Sequence, residues 1–319
     1  MRAAVRRGYG QGEVIQLEDI ALPVPDDDDV LLKVAAVSLN ASDWEFLTGS
    51  PAYVRMWSID KSRILGSDVA GTVEAVGKNV TTFQPGDDAY GDVLGSWGGL
   101  AEYAAVPAKL LSKKPAWMTF EQAAAMPQAG IVALQGIRDA GQVQPGQTVL
   151  VNGAGGGSGT FALQLAKLYG AEVTGVDSAQ KLELMRSLGA DHVLDYAKQD
   201  FTRTGKRYDL VLDLVNRRTL RDNRRAVAPG GLYLMVGGSV PRLLELALVG
   251  PLVSLFSRKK SRLLMVQANR GLDDLAELFE AGKLTPVIDR TFLLGEAAAA
   301  LEYLGRGQAL GNVVVRIDG

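Results

Sequence analysis

The chain has 319 residues, enough for two domains with cores of their own, and its 34 basic and 36 acidic residues give a formal net charge of −2. This balance provides no electrostatic surface for nucleic acid, so we expect no nucleic-acid partner. The absence of cysteine excludes disulfides, thiolate catalysis and cysteine-ligated zinc, and the single histidine, His192, cannot by itself form a metal site or a histidine-based triad.

The first 125 residues are predicted to be rich in β-strand. Short apolar segments at 30–37, 68–76, 88–90 and 101–106 alternate with glycine, proline and aspartate. The chain begins with a strand pattern and not with a signal peptide, because no apolar segment follows the first charged residues. We therefore expect a cytoplasmic protein.

The most informative segment lies between residues 149 and 170. Residues 149–152 read as an apolar strand, 153–159 as a glycine-rich turn (GAGGGSG), and 160–170 as a helix that ends at a glycine. Because glycine has no Cβ, such a turn can approach a pyrophosphate, which the free N–H groups at the start of the helix would bind. Ala154 stands where the dinucleotide fingerprint Gly-x-Gly-x-x-Gly has its first glycine.

A second apolar strand ends at Asp177, 18 residues beyond Gly159, close to the position expected for an acid that binds a ribose. A tight strand-to-helix connection without a ligand is the alternative. The combination of strand, glycine turn, helix, second strand and terminal acid favours a dinucleotide site.

Strands and helices alternate beyond this point. Strands are predicted at 149–152, 173–176, 192–194, 210–214, 232–236 and 263–266, which is typical of an α/β doubly wound parallel sheet. The tail has predicted helices at 272–281 and 295–304 and strands at 288–293 and 313–317, and we expect it to pack on the first domain.

The longest apolar run, residues 243–256, is too short to span a bilayer, so we expect no transmembrane segment. It allows three interpretations. The run could form a buried helix pair or a dimer surface, or an apolar wall beside a greasy substrate. With the basic residues 258–260, it could also touch anionic lipid.

Further segments form a recognisable set. They are VSLNASDW at 37–44, LGSDVAG at 65–71, FQPGD at 83–87, GGLAEY at 98–103, AMPQAG at 125–130 and GAD at 189–191. With the glycine turn, they resemble the zinc-independent quinone oxidoreductase branch of the medium-chain dehydrogenase/reductase superfamily, close to its reticulon-interacting-protein-like group. The resemblance implies a GroES-like β-rich catalytic domain at 1–125, a Rossmann NAD(P)-binding domain at 126–265, and a segment at 266–319 that returns to the catalytic domain. It also implies a homodimer.

The resemblance places Asn40, Ser67 and Gln128 where zinc alcohol dehydrogenases carry a cysteine, a histidine and a second cysteine. Amide and hydroxyl oxygens are poor zinc ligands, so we predict no metal. Without this Lewis acid, the plausible chemistry is reduction of a quinone or an activated enone. Asn40 is the first candidate for the catalytic donor to the oxygen that becomes negative, and Ser42 is a weaker one. A turn or a buried backbone bond is the alternative role for Asn40, and the nearby acids Asp43 and Asp68 are interpreted as structural.

The resemblance also assigns the cofactor contacts. They comprise the glycine turn (Ala154, Gly155, Gly156, Gly157, Ser158 and Gly159), a nicotinamide-side group (Val132, Val236, Gly237 and Gly238), and Asn312, where quinone reductases often have a lysine. Asp177 would accept a hydrogen bond from a ribose 2′-OH and repel a 2′-phosphate, which favours NADH. Ser178, Lys181 and Tyr196 match positions that contact the 2′-phosphate in NADPH-dependent quinone reductases. We lean towards NADPH and keep NADH open.

The sequence therefore predicts an NAD(P)H-dependent oxidoreductase that transfers hydride to a small apolar quinone or enone in a cleft between its domains. Two alternatives stay open, a zinc-free alcohol or aldehyde dehydrogenase and a cofactor-binding protein without turnover. Loops at 48–60 and 239–260 would shape the acceptor site.

Overall fold

The computed structural model describes residues 1–56, 63–255 and 257–317. Residues 57–60 of the first predicted acceptor loop and Phe256, the last residue of the predicted apolar run, lie outside the described residues.

The described strands are β1 (Arg2–Arg6), β2 (Ile15–Asp19), β3 (Asp29–Leu39), β4 (Asp68–Val76), β5 (Asp88–Asp92), β6 (Tyr103–Pro107), β7 (Ser112–Lys113), β8 (Thr148–Asn152), β9 (Glu172–Asp177), β10 (His192–Asp195), β11 (Tyr208–Asp213), β12 (Val227–Met235), β13 (Lys260–Leu263), β14 (Ile288–Leu293) and β15 (Asn312–Arg316). The described α-helices are α1 (Ala41–Thr48), α2 (Phe120–Ala124), α3 (Pro127–Leu134), α4 (Gly157–Leu168), α5 (Leu182–Ser187), α6 (Leu220–Arg225), α7 (Val240–Leu255), α8 (Leu272–Glu280) and α9 (Ala297–Gly305).

The chain forms two compact units. The first combines Met1–Ala129, Ala268–Glu277 and Pro286–Gly319, and the second combines Gly130–Gln267 and Leu278–Thr285. Each unit is therefore assembled from segments that are distant in the sequence.

The first unit is built around β3, which is buried along nearly all of its length. It pairs antiparallel with β4, β6 and β15 in a seven-stranded sheet, and β1 and β2 form a separate two-stranded sheet. The register places Asp68 opposite both Ser38 and Asp92, on the two neighbouring strands. The sheet thereby brings together polar residues that are 24 or more positions apart in the sequence.

The second unit contains a six-stranded sheet in the order β10-β9-β8-β11-β12-β13, and all of its strand pairs are parallel. This order confirms the predicted doubly wound sheet, in which ligands bind at the carboxyl ends of the strands where the order reverses. The central strand β8 is buried over its last four residues because both faces of such a sheet are covered. Asn152, Asp177 and Asp213 stand at the carboxyl ends of three neighbouring strands.

Two expectations about this unit are wrong. The last strand lies at Lys260–Leu263 and not at 263–266, and Met265 beyond it is 75% exposed. This strand lies at the edge of the sheet, where it pairs on one side only and is less buried. Its position therefore does not follow the run of apolar residues in the sequence. Residues 243–255 of the apolar run lie in one helix, α7, with Pro251 inside it, so the buried helix pair, one of the interpretations of this run, is wrong. Within the described ranges, no helix has both the length and the hydropathy that crossing a bilayer requires.

Candidate functional site

The glycine turn joins β8 to α4 in the second unit. Gly153 has φ +90°, a left-handed conformation that favours glycine. A Cβ on Gly159 would lie 2.6 Å from Ala154 Cα, so only glycine fits there. A Cβ on Gly156 would meet nothing closer than Gly153 O at 3.6 Å. The turn therefore has an open position at the amino end of a 12-residue helix, which fits the close approach of a pyrophosphate.

Asp177 ties this turn to the end of β9. Its Oδ2 accepts a hydrogen bond from Gly155 N (3.0 Å) and its Oδ1 accepts one from Ser178 N (2.8 Å). Lys181 Nζ lies 3.6 Å from Asp177 Oδ1, and both side chains are almost fully buried. The methylene chain of Lys181 covers Gly155, where a Cβ would meet it at 2.6 Å. The negative charge of Asp177 is therefore already opposed by one ammonium group and two N–H donors.

The other two residues predicted to contact a 2′-phosphate lie beside this pair. Tyr196 N donates to Asp177 O (3.1 Å), and the Tyr196 side chain is 49% exposed. Ser178 precedes a short 3₁₀ turn, but its side chain makes no capping hydrogen bond. The structure thus brings Asp177, Ser178, Lys181 and Tyr196 together at the carboxyl ends of β9 and β10.

Sequence reasoning missed a buried polar network next to the glycine turn. Asp213, at the end of β11, is fully buried and accepts hydrogen bonds from Asn152 Nδ2 (2.7 Å), Asn216 N (3.0 Å), Asn223 Nδ2 (3.3 Å) and Tyr233 Oη (2.9 Å). Burial and the neighbouring Asp213 raise the pKa of Tyr233 above its ordinary value, so this phenol stays a donor. The network holds the loops after β8 and β11. The sequence did contain a signal for this network, because Asp213 is an acid at the carboxyl end of an apolar strand.

The predicted nicotinamide-side residues also lie in the second unit. Val132 is buried in α3, and Val236 follows β12 with its carbonyl accepting a hydrogen bond from Asn216 Nδ2. Gly237 and Gly238 have φ values of +60° and +124°, which require glycine-like freedom in this turn. Their contact with a nicotinamide stays a prediction.

In the first unit, Asn40 joins the end of β3 to the start of α1. Its N–H donates to Asp43 Oδ2 (2.7 Å), and its side-chain Nδ2 donates to Asp68 Oδ2 (3.0 Å) and, at a long 3.4 Å, to Ser38 O. Asn40 therefore makes the buried backbone bond that was its alternative role. This bond uses the backbone N–H, so the side-chain amide can still act as a hydrogen-bond donor. The second amide hydrogen is held only by the long bond to Ser38 O, so a stronger acceptor could replace that carbonyl.

Gln128 converges on the same carboxylate. Its N–H donates to Asp68 Oδ2 (2.9 Å), its Nε2 lies 3.5 Å from Asp92 Oδ2, and its Oε1 accepts a hydrogen bond from Ser42 Oγ (2.9 Å). The Asp68 Oδ1 atom and the Ser67 hydroxyl are buried with no hydrogen-bond partner among the residues that the structure describes. Asp92 was missed, because only the pairing of β4 with β5 places it opposite Asp68.

Three carboxyl groups of this cluster have raised pKa values. Burial raises the pKa of Asp43 to about 7, although N–H donors from Asn40 and Gly66 act in the opposite direction. Burial, and then the charge of Asp92, raises the pKa of Asp68 well above its ordinary value. Burial also raises the pKa of Asp92. These raised pKa values favour protonation of the three groups, which lowers the negative charge of the cluster.

The donor set of this cluster does not fit zinc. Asn40 directs its amide hydrogens, not its oxygen, at the cluster, and Gln128 Oε1 already accepts from Ser42. Across residues 1–56, 63–255 and 257–317, no group of three or more histidine, cysteine, aspartate or glutamate side chains could hold a metal ion.

Asn312 begins β15 in the first unit and is buried. Its backbone N and its side-chain Nδ2 both donate to Val287 O, at 2.8 and 3.0 Å. Asn312 thus links the start of β15 to Val287, the residue before β14. Its assignment as a cofactor contact stays a prediction.

Comparison with known proteins matches the whole chain. The alcohol dehydrogenase GroES-like domain family matches residues 26–116, and the zinc-binding dehydrogenase family matches residues 188–315. The 2-methylene-furan-3-one reductase of Solanum lycopersicum is 33% identical over 99% of this chain and 79% of its own length. The mitochondrial NAD(P)H oxidoreductase RTN4IP1 of Mus musculus is 32% identical over 99% of this chain and 89% of its own. The solved structure of the quinone oxidoreductase from Coxiella burnetii has a TM-score of 0.88 at 28% identity, covering 100% of this chain and 99% of that one.

Proposed function

Because the chain belongs to the quinone oxidoreductase branch of the medium-chain dehydrogenase/reductase superfamily, we propose that it reduces a quinone or an activated enone with NAD(P)H and without zinc. The observation that carries the proposal is the open glycine turn at the carboxyl end of the parallel sheet, flanked by Asp177, Lys181 and Tyr196.

The second unit supplies the cofactor site. When bound, a reduced nicotinamide supplies the hydride. The open face at Gly156 and the free N–H groups in the first turn of α4 would hold the pyrophosphate. Asp177 and Asp213 brace the backbone on either side of this turn, so little ordering remains to be done when the nucleotide binds.

The first unit supplies polar groups to the acceptor. Asn40 would donate its weakly held second amide hydrogen to the acceptor oxygen as negative charge develops on it, and a preorganised donor of this kind contributes about 2.7–4 kcal/mol. Ser42 would donate there only after it releases its bond to Gln128 Oε1. Burial raises the pKa values of Asp68 and Asp92, which lowers the negative charge that would oppose an enolate.

We further propose a preference for NADPH. Lys181 lies 3.6 Å from Asp177, so its charge reduces the repulsion that this acid would exert on a 2′-phosphate. Two hydroxyl groups lie beside this pair, one on the half-exposed Tyr196 and one on Ser178, whose side chain makes no capping hydrogen bond. The cytoplasmic location and the homodimer expected from the sequence stay predictions.

The test is a steady-state screen of NADH and NADPH with 1,4-naphthoquinone and 3-buten-2-one, and of NAD(P)⁺ with simple alcohols. We expect oxidation of the reduced cofactor with the quinone or the enone, and no such activity in the Gly156→Val variant. Faster alcohol oxidation would favour the dehydrogenase alternative. Cofactor binding without turnover on any acceptor would favour a binding protein.

A further inference from the structure

Asp68 begins β4 and is fully buried, and each neighbouring strand places a polar residue opposite it. The register pairs Asp68 with Ser38 on β3 and with Asp92 on β5, so the three side chains lie on one face of the sheet. Asn40 follows Ser38 by two residues, and its extended backbone (φ −120°, ψ 170°) places its side chain on the same face. The sheet therefore puts the Asn40 amide diagonally next to the Asp68 carboxyl group.

Both described hydrogen bonds of this carboxyl group are made by one of its oxygens. Asp68 Oδ2 accepts from Asn40 Nδ2 (3.0 Å) and from Gln128 N (2.9 Å). Asp68 Oδ1 is buried without a hydrogen-bond partner among the residues that the structure describes. Oδ2 remains an acceptor in both protonation states, because a proton can be held on Oδ1. Asp68 therefore presents a fixed acceptor to the Asn40 amide.

This acceptor decides which end of the Asn40 amide faces the carboxyl group. An asparagine amide has a donor end and an acceptor end, and a rotation of about 180° about the last side-chain bond exchanges them. After such a rotation Asn40 Oδ1 would face Asp68 Oδ2, so two acceptors would meet and a buried hydrogen bond would be lost. In the observed orientation, Asp68 holds one hydrogen of Nδ2, and the other makes only the long 3.4 Å bond to Ser38 O.

We propose that Asp68 is a positioning residue for the reduction, an inference that rests on the function proposed above. Asp68 fixes the donor end of the Asn40 amide, so that the second hydrogen of Nδ2 is the group offered to the acceptor oxygen. Without Asp68, the amide could rotate and present its carbonyl oxygen, which would repel the negative charge that develops on the acceptor. Asp68 itself does not touch the acceptor and acts only through Asn40.

A purely structural role of Asp68 predicts a different result. Asp68 also binds the N–H of Gln128, the second residue of α3, so its removal disturbs the start of that helix as well as the Asn40 amide. A double-mutant cycle separates the two effects, because only the effect that passes through Asn40 disappears when the Asn40 side chain is removed.

The experiment measures kcat and KM with the preferred reduced cofactor and 1,4-naphthoquinone for the unmodified chain, Asp68→Leu, Asn40→Ala and the double variant. We expect Asp68→Leu to lower kcat at least about tenfold and to leave KM for the quinone within about threefold, because the amide donor acts in the transition state. In the Asn40→Ala background, the same substitution should change kcat by less than about threefold. Asp68→Asn, whose carbonyl oxygen can accept both N–H groups, should keep kcat within about threefold of the unmodified chain.

Asp88→Leu is the matched control, because it removes a carboxyl group that binds Thr72 across the same pair of strands, β4 and β5. Its kcat should stay within about threefold, and thermal melting should show that the variants are folded. Equal effects of Asp68→Leu in the two backgrounds would overturn the inference. A fall in kcat of more than about tenfold in Asp68→Asn would also overturn it, even where the leucine variant does not fold. If the folded, unmodified chain oxidises neither NADPH nor NADH with the quinone or an enone, the proposed function fails, and this inference fails with it.

Discussion

Replacement of Lys181 by methionine tests the choice of cofactor. The methylene chain of Lys181 covers Gly155, and methionine keeps an unbranched apolar chain there while it removes the ammonium group. Asp177 keeps its two N–H donors from Gly155 and Ser178, so the turn should stay in place.

The magnitude follows from the burial of the pair. The Lys181 side chain is only 7% exposed, so its bond to a 2′-phosphate would be weakly screened by water. Loss of a charge-assisted hydrogen bond costs about 1.5–3 kcal/mol, which corresponds to about a 10- to 150-fold fall in kcat/KM for NADPH. The value for NADH should stay within about threefold, because the 2′-OH carries no charge.

Steady-state kinetics with both cofactors and a fixed quinone measure this difference. Lys283→Ala, which removes an exposed lysine from the same unit, is the control for net charge and should leave both values unchanged. An equal fall for NADPH and NADH in Lys181→Met would refute the reasoning. Lys181 would then act only by holding Asp177, and Asp177 would be the residue that selects NADH.

The other predictions concern the turn, the buried acids and zinc. Gly156→Val should abolish NADPH binding in fluorescence titration, while thermal melting shows an intact fold. Gly159→Val should instead unfold the unit, because a Cβ at this position has no room. Normal NADPH binding by Gly156→Val would contradict the proposed cofactor site. Burial raises the pKa values of Asp43 and Asp68, so the folded chain binds protons that the unfolded chain releases, and the free energy of unfolding should fall as pH rises from about 4 through about 7. Asp68→Asn should flatten this fall in urea titrations. The same slope of unfolding free energy against pH in the variant and in the unmodified chain would refute the prediction. Elemental analysis should find no stoichiometric zinc, and chelator should leave activity unchanged; one bound zinc per chain that activity requires would overturn the metal-free mechanism.

The glycine turn could be predicted from sequence because its signals are local. A strand, a glycine turn and a helix follow one another without interruption in residues 148–168, and each signal depends on neighbours a few positions away. Asp177 could be found for the same reason, since it ends the next strand. Ser178, Lys181 and Tyr196 came from the family resemblance, and the structure brings them together with Asp177.

Only the tertiary structure determines which residues meet in the two polar clusters. Asp68 meets Asp92 only through the antiparallel register of β4 and β5, and Asp213 meets Asn152 only because β11 pairs with β8 across 61 residues of sequence. Strand register depends on side-chain packing over the whole sheet, which no local pattern contains.

The sequence of α7 by itself determined that an apolar segment would form there, but not which of its side chains would be covered. Leucines occur on both faces of this helix, so the pattern does not distinguish the inner face from the outer one. Packing decided this, because Leu246 lies in the core of its unit whereas Leu248 is left 68% exposed. The burial of an apolar side chain depends on what the rest of the fold places opposite it, and only the tertiary structure contains that information.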